Sequence, residues 1–212
     1  NYLGSVNDWA HWDDTSEFVD GHNPEYIELN LNQSTFENLD LSFLILVGQE
    51  NQVYHSQYYS LDDDHFIEFP AKFSASMADV LFYASQDSDV SFLKKIGDDY
   101  YFIAASEITD STSTSLPNGR LIIGRIIDDN TLRTIETISG AKIKGISTVD
   151  NNIVSAKTKQ TTIPNTTVQK SKSTIEIGLL LSNPSSAKDA VRFDLEISRD
   201  LYLSSMRRLL TF

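Results

Sequence analysis

The chain contains no cysteine in its 212 residues. This absence excludes disulfide bonds, thiolate metal sites and a cysteine nucleophile. A chain of this length can bury about 70% of the surface that its unfolded form exposes, so a hydrophobic core can stabilise it without cross-links. We therefore expect one globular domain that spans residues 1–212.

Basic residues are also scarce. Lysine and arginine number 17 against 30 acidic residues, and the formal net charge is -13 at pH 7. A surface of this sign repels phosphate backbones and anionic lipid headgroups, so we expect no nucleic-acid partner and no direct docking on a membrane. No apolar run approaches the roughly 20 residues of a membrane helix. Because the chain begins with Asn1, we expect it to be a piece of a longer protein, with any membrane helices in the segments that flank it.

Catalytic motifs are missing as well. The chain has no phosphate-binding glycine loop, no dinucleotide fingerprint and no Gly-x-Ser-x-Gly elbow. Its histidines lack the His-Glu-x-x-His spacing of zinc enzymes. The run Asp62–His65 lacks the alternate spacing and the glycine of a calcium loop, and we interpret it as a solvated loop. We expect a protein that is not an enzyme, with neither cofactor nor metal; an enzyme with dispersed carboxylates is the less favoured alternative.

The spacing of apolar residues predicts the fold class. Helical spacing predicts helices at residues 1–18, 25–39, 70–83, 129–138 and 199–212. Alternating apolar residues predict strands at residues 41–47, 53–59, 91–96, 100–108, 120–127, 141–146, 174–181 and 190–197. Because strands follow strands across short turns, we expect an α+β fold with a mostly antiparallel central sheet, a long N-terminal helix and a C-terminal exit helix. The threonine-rich stretch at 149–172 is predicted to leave the core.

The most distinctive segment is Asp8-Trp9-Ala10-His11-Trp12-Asp13-Asp14, which holds both tryptophans and three carboxylates. On a continuous helix Trp9 and Trp12 would share one face, with acids on both sides. Two interpretations stay open. The indoles could anchor the helix to a sheet while the acids bond a loop, or they could form an aromatic wall with carboxylates around a small ligand.

This segment, followed by Phe18-Val19, resembles the opening signature of the fourth type of CHASE domain, the cyclase/histidine-kinase-associated sensory extracellular domain. The resemblance continues in order through later motifs and covers Asp8 to about Ile146. These motifs are Tyr26 with Asn30-Leu31, the strand pair Phe43 to Tyr54, Ala104 to Ile108, and Gly119 to Arg125.

The resemblance implies a Cache/PAS-like sensor set between two transmembrane helices, outside the cell or in the periplasm. Its cytoplasmic partner would be a histidine kinase or a cyclic-di-GMP synthase or hydrolase. We expect an unidentified small-molecule ligand, relay through the two terminal helices, and a homodimer in the full-length receptor. The alternative is a secreted binding or adhesion module without signalling output.

We place the ligand between the sheet and the elements that cover it. Tyr101 and Arg125 are predicted to line this pocket, with Ile103 inside it and Tyr58 and Tyr83 at its rim. Arg125 lies in an apolar strand and needs a partner, which is either an internal acid, with Asp13 and Asp14 as candidates, or the carboxylate of a ligand. The predicted ligand-binding residues are Trp9, Trp12, Asp13, Asp14, Tyr101 and Arg125.

Overall fold

The computed structural model describes residues 2–49, 52–112, 115–149, 166–171, 173–183 and 186–198. The chain divides into two compact units, Asn1–Ile126 and Ile127–Phe212. Each unit has a sheet of its own, and every strand pair in both sheets is antiparallel. The predicted α+β class with antiparallel sheets is confirmed.

The first unit is a six-stranded sheet with helices on both faces. Its strands lie in the order β3-β2-β1-β6-β5-β4. Its elements are α1 (Tyr2–Ala10), α2 (Asp13–Val19), α3 (Tyr26–Asn30), α4 (Gln33–Leu39), β1 (Phe43–Gly48), β2 (Val53–Ser60), β3 (His65–Ile67), α5 (Ala71–Ala75), α6 (Met77–Ala84), β4 (Asp89–Ile96), β5 (Asp99–Ile108) and β6 (Gly119–Ile126).

Strand β1 shows why this sheet is covered twice. All six of its residues are buried. Leu44 and Leu46 pack in a core shared with α1 to α4, while Phe43 and Ile45 pack on the other side in a core shared with α5 and α6. Successive residues of a strand point to opposite faces, so an uninterrupted apolar run indicates burial on both.

Three predicted helices are each broken into two. The predicted N-terminal helix over residues 1–18 ends at Ala10 and restarts at Asp13, so the expectation of one long helix was wrong over the described residues. The predicted helix over residues 25–39 breaks at Asn32, whose side chain accepts a hydrogen bond from Thr35 N and so caps a new helix. The helix predicted at residues 70–83 is interrupted at Ser76.

The second unit contains one helix and a four-stranded sheet. Its elements are α7 (Asp129–Ser139), β7 (Lys142–Val149), β8 (Thr166–Lys170), β9 (Thr174–Asn183) and β10 (Ser186–Ser198), and the strand order is β7-β10-β9-β8. The C-cap of helix α7 is Gly140, with φ 68° in the left-handed region that glycine tolerates. Its N-cap is Asp128, whose side chain accepts a hydrogen bond from Thr131 N.

Some predictions fall outside the described residues. They concern Asn1, most of the threonine-rich stretch (150–165 and 172) and the exit helix at 199–212. Strand β8 lies in the described part of the threonine-rich stretch. The three-residue strand β3 was not predicted because it is too short to show an alternating pattern. Among the described residues, no helix has both the length and the apolar composition needed to cross a membrane.

Candidate functional site

The Trp/Asp segment forms the junction between α1 and α2. Trp12 is extended, with φ -100° and ψ 133°, and stands at the N-cap of α2. In a continuous helix the carbonyls of Trp9 and Ala10 would accept from the amides of residues 13 and 14. Here the Thr15 hydroxyl donates to Trp9 O at 2.7 Å, and Thr109 N donates to Ala10 O at 3.2 Å. The break is therefore stabilised by replacement partners for both carbonyls.

A buried hydrogen-bond chain stabilises this junction. Because the single Thr15 hydroxyl hydrogen is donated to Trp9 O, the Tyr26 hydroxyl donates to Thr15 Oγ1, at 2.8 Å. Tyr26 is completely buried, and burial raises its pKa to about 12, against a smaller lowering by the bond to Thr15. The phenol therefore stays protonated and keeps its role as donor at physiological pH.

The two tryptophans differ in burial. Trp9 is half-buried and packs against the core that α1 shares with the sheet, in agreement with the interpretation in which the indoles anchor the helix. Trp12 is 44% exposed. Their ring centroids are 5.6 Å apart at an angle of 45°, so the indoles stay adjacent although the helix between them is broken.

Asp13 connects the junction to the loop after β5. One carboxylate oxygen accepts from Ser111 N at 2.8 Å, and the other accepts from the Ser111 hydroxyl at 3.0 Å. This contact agrees with the interpretation in which the acids of the segment bond a loop. Asp14 is exposed in the first turn of α2, where a negative charge is favoured near the helix N-terminus.

Tyr101 lies in the core on the other side of the sheet. It is 2% exposed, and its hydroxyl is 3.0 Å from the hydroxyl of Tyr58. Rings of Phe43 and Phe73 pack edge-on or tilted against Tyr101, with centroids at 6.1 and 5.2 Å. Burial is the largest cause that raises the pKa of both tyrosines. We call this group, with Phe69 beside Tyr58, the tyrosine cluster.

Arg125 does not belong to the tyrosine cluster. Its strand partner is Phe102, whereas the partner of Tyr101 is Ile126, so Arg125 and Tyr101 lie on opposite faces of the sheet. They cannot line one pocket on a single face as expected. Arg125, 15% exposed, forms an ion pair with Asp40, so an internal acid holds it, and that acid is neither Asp13 nor Asp14. Asp40 occupies the left-handed C-cap of α4 (φ 61°), next to β1.

The rim expected around Tyr101 is also arranged differently. Tyr58 is 5% exposed and lies inside the cluster, not at its edge. Tyr83 lies at the edge of the same core, where the ammonium group of Lys94 stands 4.4 Å from its ring centroid. Lys94 also pairs with Asp79 at 3.5 Å. The edge of this core therefore carries charge, while its centre carries only phenol hydroxyls.

The sequence interpretation missed a charged face on the second sheet. Arg192, Asp194 and Glu196 alternate with Val191, Phe193 and Leu195 along β10. Such alternation places the charged side chains on one face and the apolar ones on the other. The same alternation is visible in the sequence, where it predicts only a strand.

A model of the CHASE4 domain family matches residues 3–144. This chain belongs to the CHASE4 domain family. The match begins in α1 and ends in β7, and it confirms the resemblance carried by the Trp/Asp segment. CHASE4 domains are sensory extracellular domains and are not catalytic. This chain is therefore a sensory domain.

One curated relative of the CHASE4 domain is the Methanogenesis regulatory histidine kinase FilI of Methanothrix harundinacea (strain 6Ac). The two are 24% identical over 146 residues, which is 68% of this chain and 16% of the relative. The chain thus spans a small part of the length of that kinase.

Two solved structures show the same fold. The extracellular domain of the histidine kinase candidate vpHK1S-Z8 has a TM-score of 0.56 at 9% identity and covers 94% of this chain and 85% of its own. A domain assigned to a sensory box/GGDEF family protein from Vibrio parahaemolyticus has a TM-score of 0.57 at 10% identity, with coverage of 94% and 89%. At such identities the likeness concerns the fold alone.

Proposed function

We propose that this CHASE4 domain is the ligand-sensing part, outside the cytoplasm, of a receptor whose transmembrane helices flank the chain. Residues 1–212 act in this proposal as one sensor built from two units. The cytoplasmic output is a histidine kinase or a cyclic-di-GMP enzyme. The observation that carries the proposal is the family match over residues 3–144. The similarity to FilI favours a kinase output, although it covers only 16% of that protein.

We propose that the ligand of the first unit is read at the tyrosine cluster. The cluster combines aromatic surface with two phenol hydroxyls that bond each other at 3.0 Å. Ligand sites are mostly apolar with a few polar groups that fix orientation, and this group has that composition. Because Tyr101 is 2% exposed, a ligand must displace α5, whose Phe73 packs on Tyr101.

The α1–α2 junction is the proposed relay. Helix α1 packs on β5 and β6, and its residues Val6 and Ala10 are completely buried in the core beside the sheet. A shift of the sheet therefore reaches α1 directly. Of the remaining predicted ligand-binding residues, Trp9, Asp13 and Arg125 serve in this proposal to fix the junction and the sheet, while Trp12 and Asp14 are exposed and accessible to a ligand.

Dimerisation would complete this mechanism. We propose a homodimer of the full-length receptor with twofold symmetry along the N-terminal helix, because symmetric pairs of this kind are the commonest assemblies. Crosslinking of the full-length receptor in membranes tests it. A receptor that signals as a monomer would contradict it.

The experiment for the receptor proposal uses the full-length gene product in membrane vesicles. Protease access to this domain from the outer side, together with output activity retained inside, is the expected result. Addition of a small-molecule panel should change that output, and Tyr101→Phe should change the response while Tyr54→Phe, on an exposed side chain, should not. A product released by a signal peptide, with no membrane helix after the domain, overturns the receptor proposal in favour of a secreted binding module.

A further inference from the structure

A cavity of ≈ 210 Å³ lies on the charged face of the second sheet. Its lining includes Lys144, Glu176, Gly178, Arg192 and Asp194, from β7, β9 and β10. The volume is below the several hundred Å³ of sites for drug-sized ligands and suits a smaller metabolite. All these residues belong to one unit, so the cavity is complete within it.

Gly178 forms the floor of this cavity. It stands in the interior of β9, paired with Thr167 of β8 and Asp194 of β10. Its φ is not among the positive values that a side chain disfavours. A glycine inside a strand costs stability and often marks a place that something approaches closely. A β-carbon here would stand 2.5 Å from Thr167 Oγ1 and 2.6 Å from Arg192 Nη2, so the missing side chain lets the guanidinium of Arg192 pack against the backbone of the charged face.

Arg192 covers this floor from one side. Its Nε donates to Asp194 Oδ1 at 2.7 Å, which holds the guanidinium in place. Within the described part of the chain, its two Nη groups have no hydrogen-bond partner. An arginine held through Nε can present both Nη groups to a carboxylate.

Glu176 lies on the other side of the floor, two residues along β9 from Gly178. It is exposed, and over the described ranges it forms no ion pair. The nearby Lys144 is partly neutralised by Glu196, at 3.7 Å. The charged groups named in the lining are two positive and two negative side chains. The Nη groups of Arg192 and the carboxylate of Glu176 remain for a ligand, on opposite sides of Gly178.

We propose that this cavity binds a small zwitterion, with its carboxylate on the Nη groups of Arg192 and its ammonium group on Glu176. Complementary charge at both ends selects a dipolar molecule over an anion or a cation of the same size, because each single-charge analogue leaves one end without a partner. The binding is a property of the second unit and does not depend on the receptor role proposed above.

The test measures binding to the chain itself. The probes are glycine, β-alanine and 4-aminobutyrate, whose charges are separated by increasing lengths of chain, with butyrate and propylamine as single-charge controls. Calorimetric titration should give at least one zwitterion a Kd below about 1 mM and at least about tenfold tighter than either control. Equal binding of butyrate, or no binding of any zwitterion at this level, overturns the proposal.

Variants locate the site. Arg192→Gln should weaken zwitterion binding at least about tenfold, as should Gly178→Ala, whose methyl group would displace the guanidinium of Arg192. Glu176→Gln should weaken the zwitterion and leave any residual butyrate binding unchanged. Lys170→Gln is the matched control, since it makes the same charge change in β8 outside the cavity. Arg192 and Glu176 are not buried, so their variants should fold even if Gly178→Ala does not. Unchanged affinity in Arg192→Gln places binding elsewhere and refutes the site.

Discussion

The hydroxyl pair of Tyr58 and Tyr101 should behave asymmetrically when it is removed. Each phenol is buried, and the two hydroxyls bond each other at 3.0 Å. Tyr101→Phe removes one oxygen and leaves the hydroxyl of Tyr58 buried among aromatic rings without its partner. Tyr58→Phe does the same to Tyr101. The double variant removes both polar groups and keeps both rings.

The expected magnitudes follow from the cost of burying an unsatisfied polar group. Each single variant should lower the free energy of unfolding by about 1–3 kcal/mol, because the remaining hydroxyl loses water and gains no bond. The double variant should be close to neutral, since replacing both partners by apolar groups of the same shape costs little. The two single effects should therefore fail to add, with a coupling of about 1–3 kcal/mol.

Equilibrium unfolding in denaturant measures this cycle. Both tryptophans of the chain, Trp9 and Trp12, lie in the first unit, so their fluorescence reports the unit that contains the pair. Tyr54→Phe is the control, because Tyr54 is 49% exposed and should lose almost nothing. If the two single effects add in the double variant, the hydroxyls are not coupled and the reasoning is refuted.

Three further predictions concern local contacts. Asp13→Ala should speed amide exchange at Ser111 and lower the free energy of unfolding by about 0.5–1.5 kcal/mol, because two hydrogen bonds are lost. Asp14→Ala should not speed this exchange, and equal exchange in both variants would contradict the role of Asp13. Burial lowers the pKa of His55 from 6.5 in the folded state, so the free energy of unfolding should decrease as the pH falls from 6.5 to the folded pKa. In His55→Leu this decrease should be smaller, and identical pH profiles of the two proteins would contradict the prediction. Asp128→Ala removes the cap of α7 and should cost about 0.5–2 kcal/mol, visible as faster exchange in its first turn; unchanged exchange would show that the cap contributes nothing.

Five of the six strands of the first unit were predictable because their signals are local; only the short β3 was not. The strand pair β4–β5 turns at Gly97, where φ is 65°. Glycine tolerates this left-handed conformation without steric cost, so the residue type in the sequence indicates the turn. The helix breaks were not predictable in the same way. The break after Ala10 depends on a donor from Thr109, which is distant in sequence and approaches only in the folded unit.

In the candidate site too, features with local signals were predictable and contacts between residues distant in sequence were not. The bond from Asp13 to a loop belongs to the interpretation of the Trp/Asp segment in which the indoles anchor α1 and the acids bond a loop. The partner of Arg125 was not predictable, because Asp40 reaches it only through a helix that ends in a left-handed residue. The opposite facing of Arg125 and Tyr101 depends on the register between β5 and β6, which a long loop leaves undetermined in the sequence.

The two sheets impose different conditions on ligand binding. The first is buried on both faces around β1, and the tyrosine cluster lies beneath α5, so a ligand there must supply the free energy that separates Phe73 from Tyr101. The second carries its charges around a cavity at Gly178, where a ligand meets groups already in place. Binding at the first site should therefore be slow and coupled to a conformational change, since association that requires such a change has a reduced rate constant. Binding at the second should be fast and leave the backbone in place. A sensor that uses the first site can convert occupancy into movement of α1, whereas occupancy of the second can tune the stability of its own unit without that movement.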